Sequence, residues 1–155
     1  MGQVTHEHAD LLLKLYEVRR EPRLRQARQW MMTSFTAQNF EEVKAQCPPG
    51  SDGDAFLRMT LSYWDMCANM VNRGLIDEEF FFESTGEQYV IWSKVQPVVA
   101  EIRALFKNPH FLAPLEEHCK RLEAWREKRA PGSNEALKGY IQQMAEAARG
   151  KAKSA

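Results

Sequence analysis

The sequence lacks the short motifs that identify the commonest nucleotide-binding and hydrolytic sites. It has no Gly-x-x-x-x-Gly-Lys-Ser/Thr phosphate loop, no Gly-x-Gly-x-x-Gly, no Gly-x-Ser-x-Gly and no Cys-x-x-Cys. No glutamate is followed three residues later by a histidine, which is the spacing that di-iron bundles use. Motif spacing therefore predicts no catalytic residue, no metal site and no cofactor.

Cysteine and long apolar runs are also scarce. Cys47, Cys67 and Cys119 form an odd set without paired spacing, which is typical of buried thiols in a reducing compartment. No stretch approaches the ~20 apolar residues that cross a bilayer, and the N-terminus has no charged-then-apolar signal pattern. These features predict a cytoplasmic protein that does not insert into a membrane.

The chain has no excess of either charge. Its 21 basic residues balance its 21 acidic ones. Residues 1–37 carry +2 (six basic minus four acidic), residues 38–101 carry −7 (four minus eleven) and residues 102–155 carry +5 (eleven minus six). Nucleic-acid-binding domains usually have a strong basic excess, which displaces counterions from phosphates. The composition therefore disfavours nucleic acid as a partner.

Helical periodicity dominates the sequence. The strongest apolar stripe recurs at intervals of four, three, four and three residues: Leu57, Leu61, Trp64, Ala68 and Val71. A second apolar stripe beside it indicates a helix at the centre of a bundle. We predict an all-α, single-domain irregular helical bundle of about six to eight helices over residues 1–150, followed by a frayed basic tail at residues 151–155.

Proline, glycine and aspartate mark several expected helix ends. Pro22 either kinks the first helix or opens a second one at its first turn. Gly74 is placed to end the central helix in a left-handed conformation, and Asp77 is placed to cap the short helix that follows. Pro97 lies inside a later apolar stripe, so we expect a bend or a local break there.

Phe80, Phe81 and Phe82 form the densest aromatic run. Three consecutive helix positions sweep about 200°, so one narrow core-facing stripe cannot hold all three rings. Either other helices of the same chain clamp this segment, or at least one ring contacts another chain. The three residues are therefore candidates for a protein interface.

Five arginines form the densest basic run: Arg19, Arg20, Arg23, Arg25 and Arg28. Guanidinium groups suit phosphates and carboxylates. Two glutamates are interleaved with this run, so the main interpretation is a solvated face that pairs with acidic segments of this or another subunit. Contact with phosphate or nucleic acid is the alternative.

Two smaller groups each have a functional and a structural interpretation. Four aromatic residues could line a pocket between helices, although such stripes are more often plain core: Tyr63, Trp64, Tyr89 and Trp92. His118 and Cys119 resemble a nucleophile and its base, but adjacent helix positions diverge by about 100°. Because His118 also lies on an apolar stripe, we interpret it as a core histidine.

A family resemblance is carried by a set of residues across the middle of the chain: Phe56-Leu57-Arg58-Met59, Trp64, Val71-Asn72-Arg73-Gly74-Leu75-Ile76-Asp77, Trp92 and Arg103. The shared pattern is an Arg-Gly-Leu-Ile-Asp turn between helices, then a Trp and a proline-containing helix that ends near an Arg. Over roughly residues 24–106 the chain resembles a bacterial family of small α-helical proteins known only as a domain of unknown function. The resemblance implies an all-α fold and transfers no catalytic residue.

These observations favour a non-enzymatic interaction or scaffold module that associates with itself or with another protein. The expectation depends on the phenylalanine run, the apolar central helices and the oppositely charged segments. A small-molecule binder or enzyme that uses the aromatic-lined pocket is the first alternative. Weak nucleic-acid contact through the arginine-rich N-terminal region is the second.

Overall fold

The computed structural model describes residues 2–155, and within that range the chain forms eight α-helices and no strand. The helices, numbered in chain order, are α1 (His6–Arg19), α2 (Pro22–Thr33), α3 (Phe40–Gln46), α4 (Asp52–Asn72), α5 (Glu78–Ser84), α6 (Glu87–Leu105), α7 (Ala113–Arg129) and α8 (Ser133–Ser154). The prediction of an all-α, single-domain bundle is confirmed, with the helix count at the upper end of the expected range.

Local side-chain chemistry explains most of the helix ends. Polar side chains accept backbone N–H groups in the first turn of five helices: Thr5, Glu21, Asn39, Ser51 and Asp77. The Asp77 carboxylate accepts the Phe80 N–H at 2.9 Å, as its position predicts. Gly74, with φ +75°, follows α4 in the left-handed region that glycine tolerates best. Pro22 opens α2 at its first turn, so the kink alternative does not hold.

Two helices contain positions at which the sequence suggests an interruption. Pro97 lies inside α6 without a local break. Proline removes one backbone hydrogen bond, but Val95 and Val98 on either side are fully buried, so their packing holds the helix together. α8 extends to Ser154 and so includes most of residues 151–155, for which fraying stays a prediction. Lys151 lies in its last turn, where a positive charge stabilises the negative end of the helix dipole.

The central helix is α4, whose most extensive contacts are with α2 and α7. Its buried apolar residues lie around much of its circumference: Phe56, Leu57, Leu61, Tyr63, Trp64, Cys67, Ala68 and Val71. A Cβ atom on Gly53 would lie 2.5 Å from the carbonyl oxygen of Gln46. The glycine therefore lets the first turn of α4 pack directly against the end of α3.

The three cysteines are buried and free, as their spacing predicts. Burial raises the pKa of Cys47 to about 11 and that of Cys67 to about 12, so both thiols stay protonated at neutral pH. None of the helices formed by residues 2–155 combines the length and the apolar character that spanning a membrane requires.

Candidate functional site

An apolar cleft of about 260 Å³ lies between α1, α4 and the C-terminal end of α5. Its lining combines residues from three sets that the sequence singles out separately: Arg19, Tyr63, Trp64 and Phe81. Residues of α1 and the end of α5 complete the wall: Leu12, Leu13, Leu15, Tyr16, Ser84 and Thr85. The fold thus brings one member of the arginine run and one of the phenylalanine run to the same place as two of the proposed pocket aromatics.

Two aromatic rings of α4 form a rigid part of the cleft wall. Tyr63 and Trp64 are buried and pack edge to face, with ring centroids 4.9 Å apart. The Tyr63 hydroxyl donates a hydrogen bond to the Leu15 carbonyl oxygen at 2.6 Å. This bond ties α1 to α4, and burial raises the pKa of the phenol, so it remains a neutral donor.

The rim of the cleft on α1 is apolar and exposed to solvent. Leu13 is 61% exposed and Tyr16 is 47% exposed. The two residues are three positions apart and therefore lie on the same face of α1. A ligand that entered the cleft would cover apolar surface on this rim as well as inside the cleft.

One unpaired cation lies at the edge of the cleft. The guanidinium carbon of Arg19 is 4.9 Å from the centroid of the Tyr16 ring, within the range of a cation–π contact. Across residues 2–155, no carboxylate lies within ion-pair distance of Arg19. The hydroxyl groups of Ser84, Thr85 and the two tyrosines are further polar groups of the lining, so the cleft combines a mainly apolar surface with one positive charge.

A polar network that the sequence did not reveal holds the helices around this cleft. Arg28 of α2 donates to both carboxylate oxygens of Glu87 in α6, through Nε at 2.7 Å and through Nη2. Its Nη1 donates to the Arg19 carbonyl oxygen at 3.0 Å, and Trp64 Nε1 donates to Glu87 at 3.3 Å. Arg28 and Glu87 are 59 residues apart, and no local pattern indicates that they pair.

The five predicted basic residues do not form one patch. Arg28 is used inside the molecule, and Arg23 pairs with Asp52 at 2.8 Å while lying over the Phe56 ring. Two of the others lie near Tyr16 and one is exposed on α2: Arg19, Arg20 and Arg25. The run is divided between α1 and α2, so its side chains leave the backbone in different directions.

The phenylalanine run lies mainly inside the molecule. Phe81 and Phe82 are buried, and Phe80 is partly buried. His118 of α7 packs edge-on against both buried rings, with centroid distances of 5.5 and 5.1 Å, and Trp125 packs against Phe82 at 5.4 Å. Phe81 and Phe82 are thus packed against α7 of the same chain, and little of either ring is exposed.

The other two proposed pocket aromatics lie outside the cleft. Tyr89 is buried beneath Arg126, whose guanidinium carbon is 4.6 Å from the ring centroid. Trp92 is also buried, one turn further along α6. The four aromatics therefore do not share one pocket, because Tyr89 lies on the side of α6 that packs against α7.

His118 is a core residue, as its position on an apolar stripe predicts. It is fully buried, and burial lowers its pKa from the ordinary 6.5 to about 4. Cys119 is buried as well, and burial raises its pKa. Nowhere in residues 2–155 do three or more His, Cys, Asp and Glu side chains gather in a way that could hold a metal ion.

Comparison with protein families matches residues 4–122 to the family described as a domain of unknown function, DUF4760. The match covers well over half of the 155 residues. The chain belongs to this family. The match also extends beyond residues 24–106, where the resemblance was first evident. Comparison with curated proteins and with solved structures found no match.

The DUF4760 region contains every residue of the apolar cleft and of the Arg28–Glu87 network. It runs from α1 into α7, and α8 follows it. Family membership assigns no ligand to the cleft, so its ligand is inferred from chemistry.

Proposed function

We propose that the protein binds a small amphipathic molecule in the apolar cleft, with the anionic group of the ligand at Arg19. The observation that carries this proposal is an unpaired guanidinium at the edge of a cleft whose interior is otherwise aromatic and aliphatic. Apolar pockets with a few placed polar groups are the usual form of small-molecule sites. The proposed function is binding.

The size of the cleft limits the ligand. Its volume of about 260 Å³ lies just below the roughly 300–1,000 Å³ of pockets for drug-sized ligands. A medium-chain carboxylic acid fits these features, because its alkyl chain would cover Leu13 and Tyr16 while its carboxylate accepts hydrogen bonds from Arg19. Burial of apolar surface contributes about 25 cal/mol per Å² to such binding.

Replacing Arg19 with glutamine should weaken the binding of decanoate by about tenfold, because a hydrogen-bonded ion pair contributes roughly 1.5–3 kcal/mol. Isothermal titration calorimetry measures the dissociation constant. The backbone carbonyl of Arg19, which accepts from Arg28, is retained in this variant, so the fold should be unaffected.

Two controls accompany this measurement. Arg25→Gln removes an exposed arginine outside the cleft and should leave decanoate binding unchanged. Decanol, which has no charge, should bind the parent protein and Arg19→Gln equally. If decanoate fails to bind the parent protein, or if Arg19→Gln and Arg25→Gln weaken it equally, the proposal is wrong.

Self-association is a second candidate, and a specific surface favours it. Leu105 and Phe106 lie side by side at the end of α6 and are 55% and 65% exposed. These two residues are further candidates for an interface, beside the phenylalanine run. Sedimentation velocity should detect a dimer that Phe106→Ser disperses, and a monomer at all concentrations would exclude this candidate.

Three buried thiols with no disulfide partner favour a reducing compartment, so we propose that the protein acts in the cytoplasm.

The nucleic-acid alternative has less support than ligand binding or self-association. Arg23 and Arg28 are already paired with carboxylates of the same chain, and their contribution to a phosphate-binding surface is correspondingly small.

A further inference from the structure

A second cavity, of about 370 Å³, lies between α6, α8 and the segment that joins α2 to α3. It is separate from the apolar cleft and shares none of its lining residues. Its wall mixes apolar residues with lysine, arginine, glutamate, glutamine and hydroxyl side chains. None of the sets that the sequence singled out contributes to it.

Lys94 of α6 is the unusual residue of this cavity. Its side chain lines the cavity and the residue is only 7% exposed. Across residues 2–155 it makes neither an ion pair nor a side-chain hydrogen bond, whereas buried Asn134 bonds to Glu123, Arg126 and Glu127. Lysine is almost never buried without a partner. The Nζ atom of Lys94 keeps some accessible surface, so its ammonium group reaches the cavity and is not sealed inside the protein.

A neighbouring positive charge further disfavours the charged form of Lys94. Arg149 of α8 lines the same cavity and donates to the Thr36 carbonyl oxygen at 3.0 Å, a bond that leaves its charge uncompensated. Burial, with the charge of Arg149 as a second cause, lowers the pKa of Lys94. A third cation, Lys138, is paired with Glu123.

One carboxylate, that of Glu146, also lines the cavity. It is exposed, and its oxygen accepts a hydrogen bond from Gln142 at 3.2 Å. Lys94 and Arg149 are thus two cations of the cavity lining that pair with no carboxylate of residues 2–155. Two neighbouring cations of this kind favour an anionic ligand.

We propose that this cavity binds a phosphate group, either the free ion or the phosphate of a small organic molecule, between Lys94 and Arg149. Phosphate carries close to two negative charges at neutral pH and has several acceptor oxygens, which matches the two cations and the Gln96 amide of the lining. The Ser93 hydroxyl already donates to the Tyr89 carbonyl oxygen. A nucleic-acid backbone does not fit, because it would need its cations on an exposed surface. The site is thus distinct in place and in ligand from the apolar cleft.

Thermal unfolding tests the proposal, with chloride replaced by phosphate at constant ionic strength. Inorganic phosphate should raise the Tm of the parent protein in a concentration-dependent way, since a ligand that binds only the folded state stabilises it. Lys94→Met keeps the buried stem and removes the charge. It should weaken phosphate binding by about tenfold or more, and without phosphate its Tm should equal or exceed that of the parent.

Lys128→Met, which removes an exposed lysine of α7 outside the cavity, is the matched control and should respond to phosphate as the parent does. Arg149→Gln should also weaken the response. Glucose 6-phosphate, measured beside inorganic phosphate, distinguishes the two sources: tighter binding assigns an organic phosphate, and equal binding assigns the free ion. The proposal is overturned if phosphate leaves the Tm of the parent unchanged, or if Lys94→Met responds as Lys128→Met does.

Discussion

Replacing Phe81 with alanine should lower the free energy of unfolding by about 3–5 kcal/mol, the usual cost of truncating a buried aromatic ring. Phe81 is only 1% exposed, and it packs against His118 and lines the apolar cleft. Its removal would leave a cavity between α5 and α7 that short, capped α5 cannot close by moving alone. Urea denaturation followed by circular dichroism measures the change.

The neighbouring ring provides the comparison. Phe80 is only partly buried, so Phe80→Ala should cost roughly 1 kcal/mol, near the centre of the range for point mutations. The order of the two effects is the informative result. A larger loss for Phe80→Ala would mean that α5 is rotated relative to the arrangement described above. A change of oligomeric state on Phe81→Ala would restore the interface interpretation of the phenylalanine run.

Acidification from pH 6.5 to pH 4 should remove about 3 kcal/mol of stability through His118 alone. Burial lowers the pKa of His118 to about 4 in the folded state, whereas the unfolded chain takes up the proton near pH 6.5. Between these values the unfolded state binds more protons than the folded state does. The free energy of unfolding therefore falls as the pH falls, by about 1.4 kcal/mol per unit of pKa difference.

The variant His118→Leu isolates this contribution. Leucine removes the titrating group and keeps an apolar side chain against Phe81 and Phe82, so the dependence of stability on pH should be flatter than in the parent. Other groups also titrate in this range, and burial raises the pKa of Asp65. The difference in slope between the two proteins is therefore the quantity to compare, and equal slopes would contradict the assignment.

Features that depend on neighbouring residues were predictable from the sequence. Gly74 ends α4 and Asp77 caps α5 because backbone freedom and a short carboxylate act within one turn of chain. Pro97 is the exception among local signals. Its effect on α6 depends on how firmly the residues around it are packed, and that depends on other helices.

Features that depend on distant residues were not predictable. Arg28 and Glu87 are 59 residues apart in the sequence and join α2 to α6. A glutamate that follows a glycine indicates only the start of a helix, so nothing in the sequence indicates this ion pair. From the sequence alone, Lys94 is expected to be exposed, because lysine is rarely buried. Its burial comes from α8, which begins about 40 residues later and covers it. The phenylalanine run left two alternatives because only the position of α7 decides between them.

The position of α8 limits what the phosphate hypothesis implies for other members of the family. The family region ends at residue 122, whereas Lys138 and Arg149 come from the helix beyond it. About half of the residues that line the second cavity thus lie outside the segment that matches the family. A match to the DUF4760 region therefore says nothing about the part of this cavity that α8 supplies. Transfer of the phosphate hypothesis to any relative therefore requires a check for an equivalent C-terminal helix with its own cation.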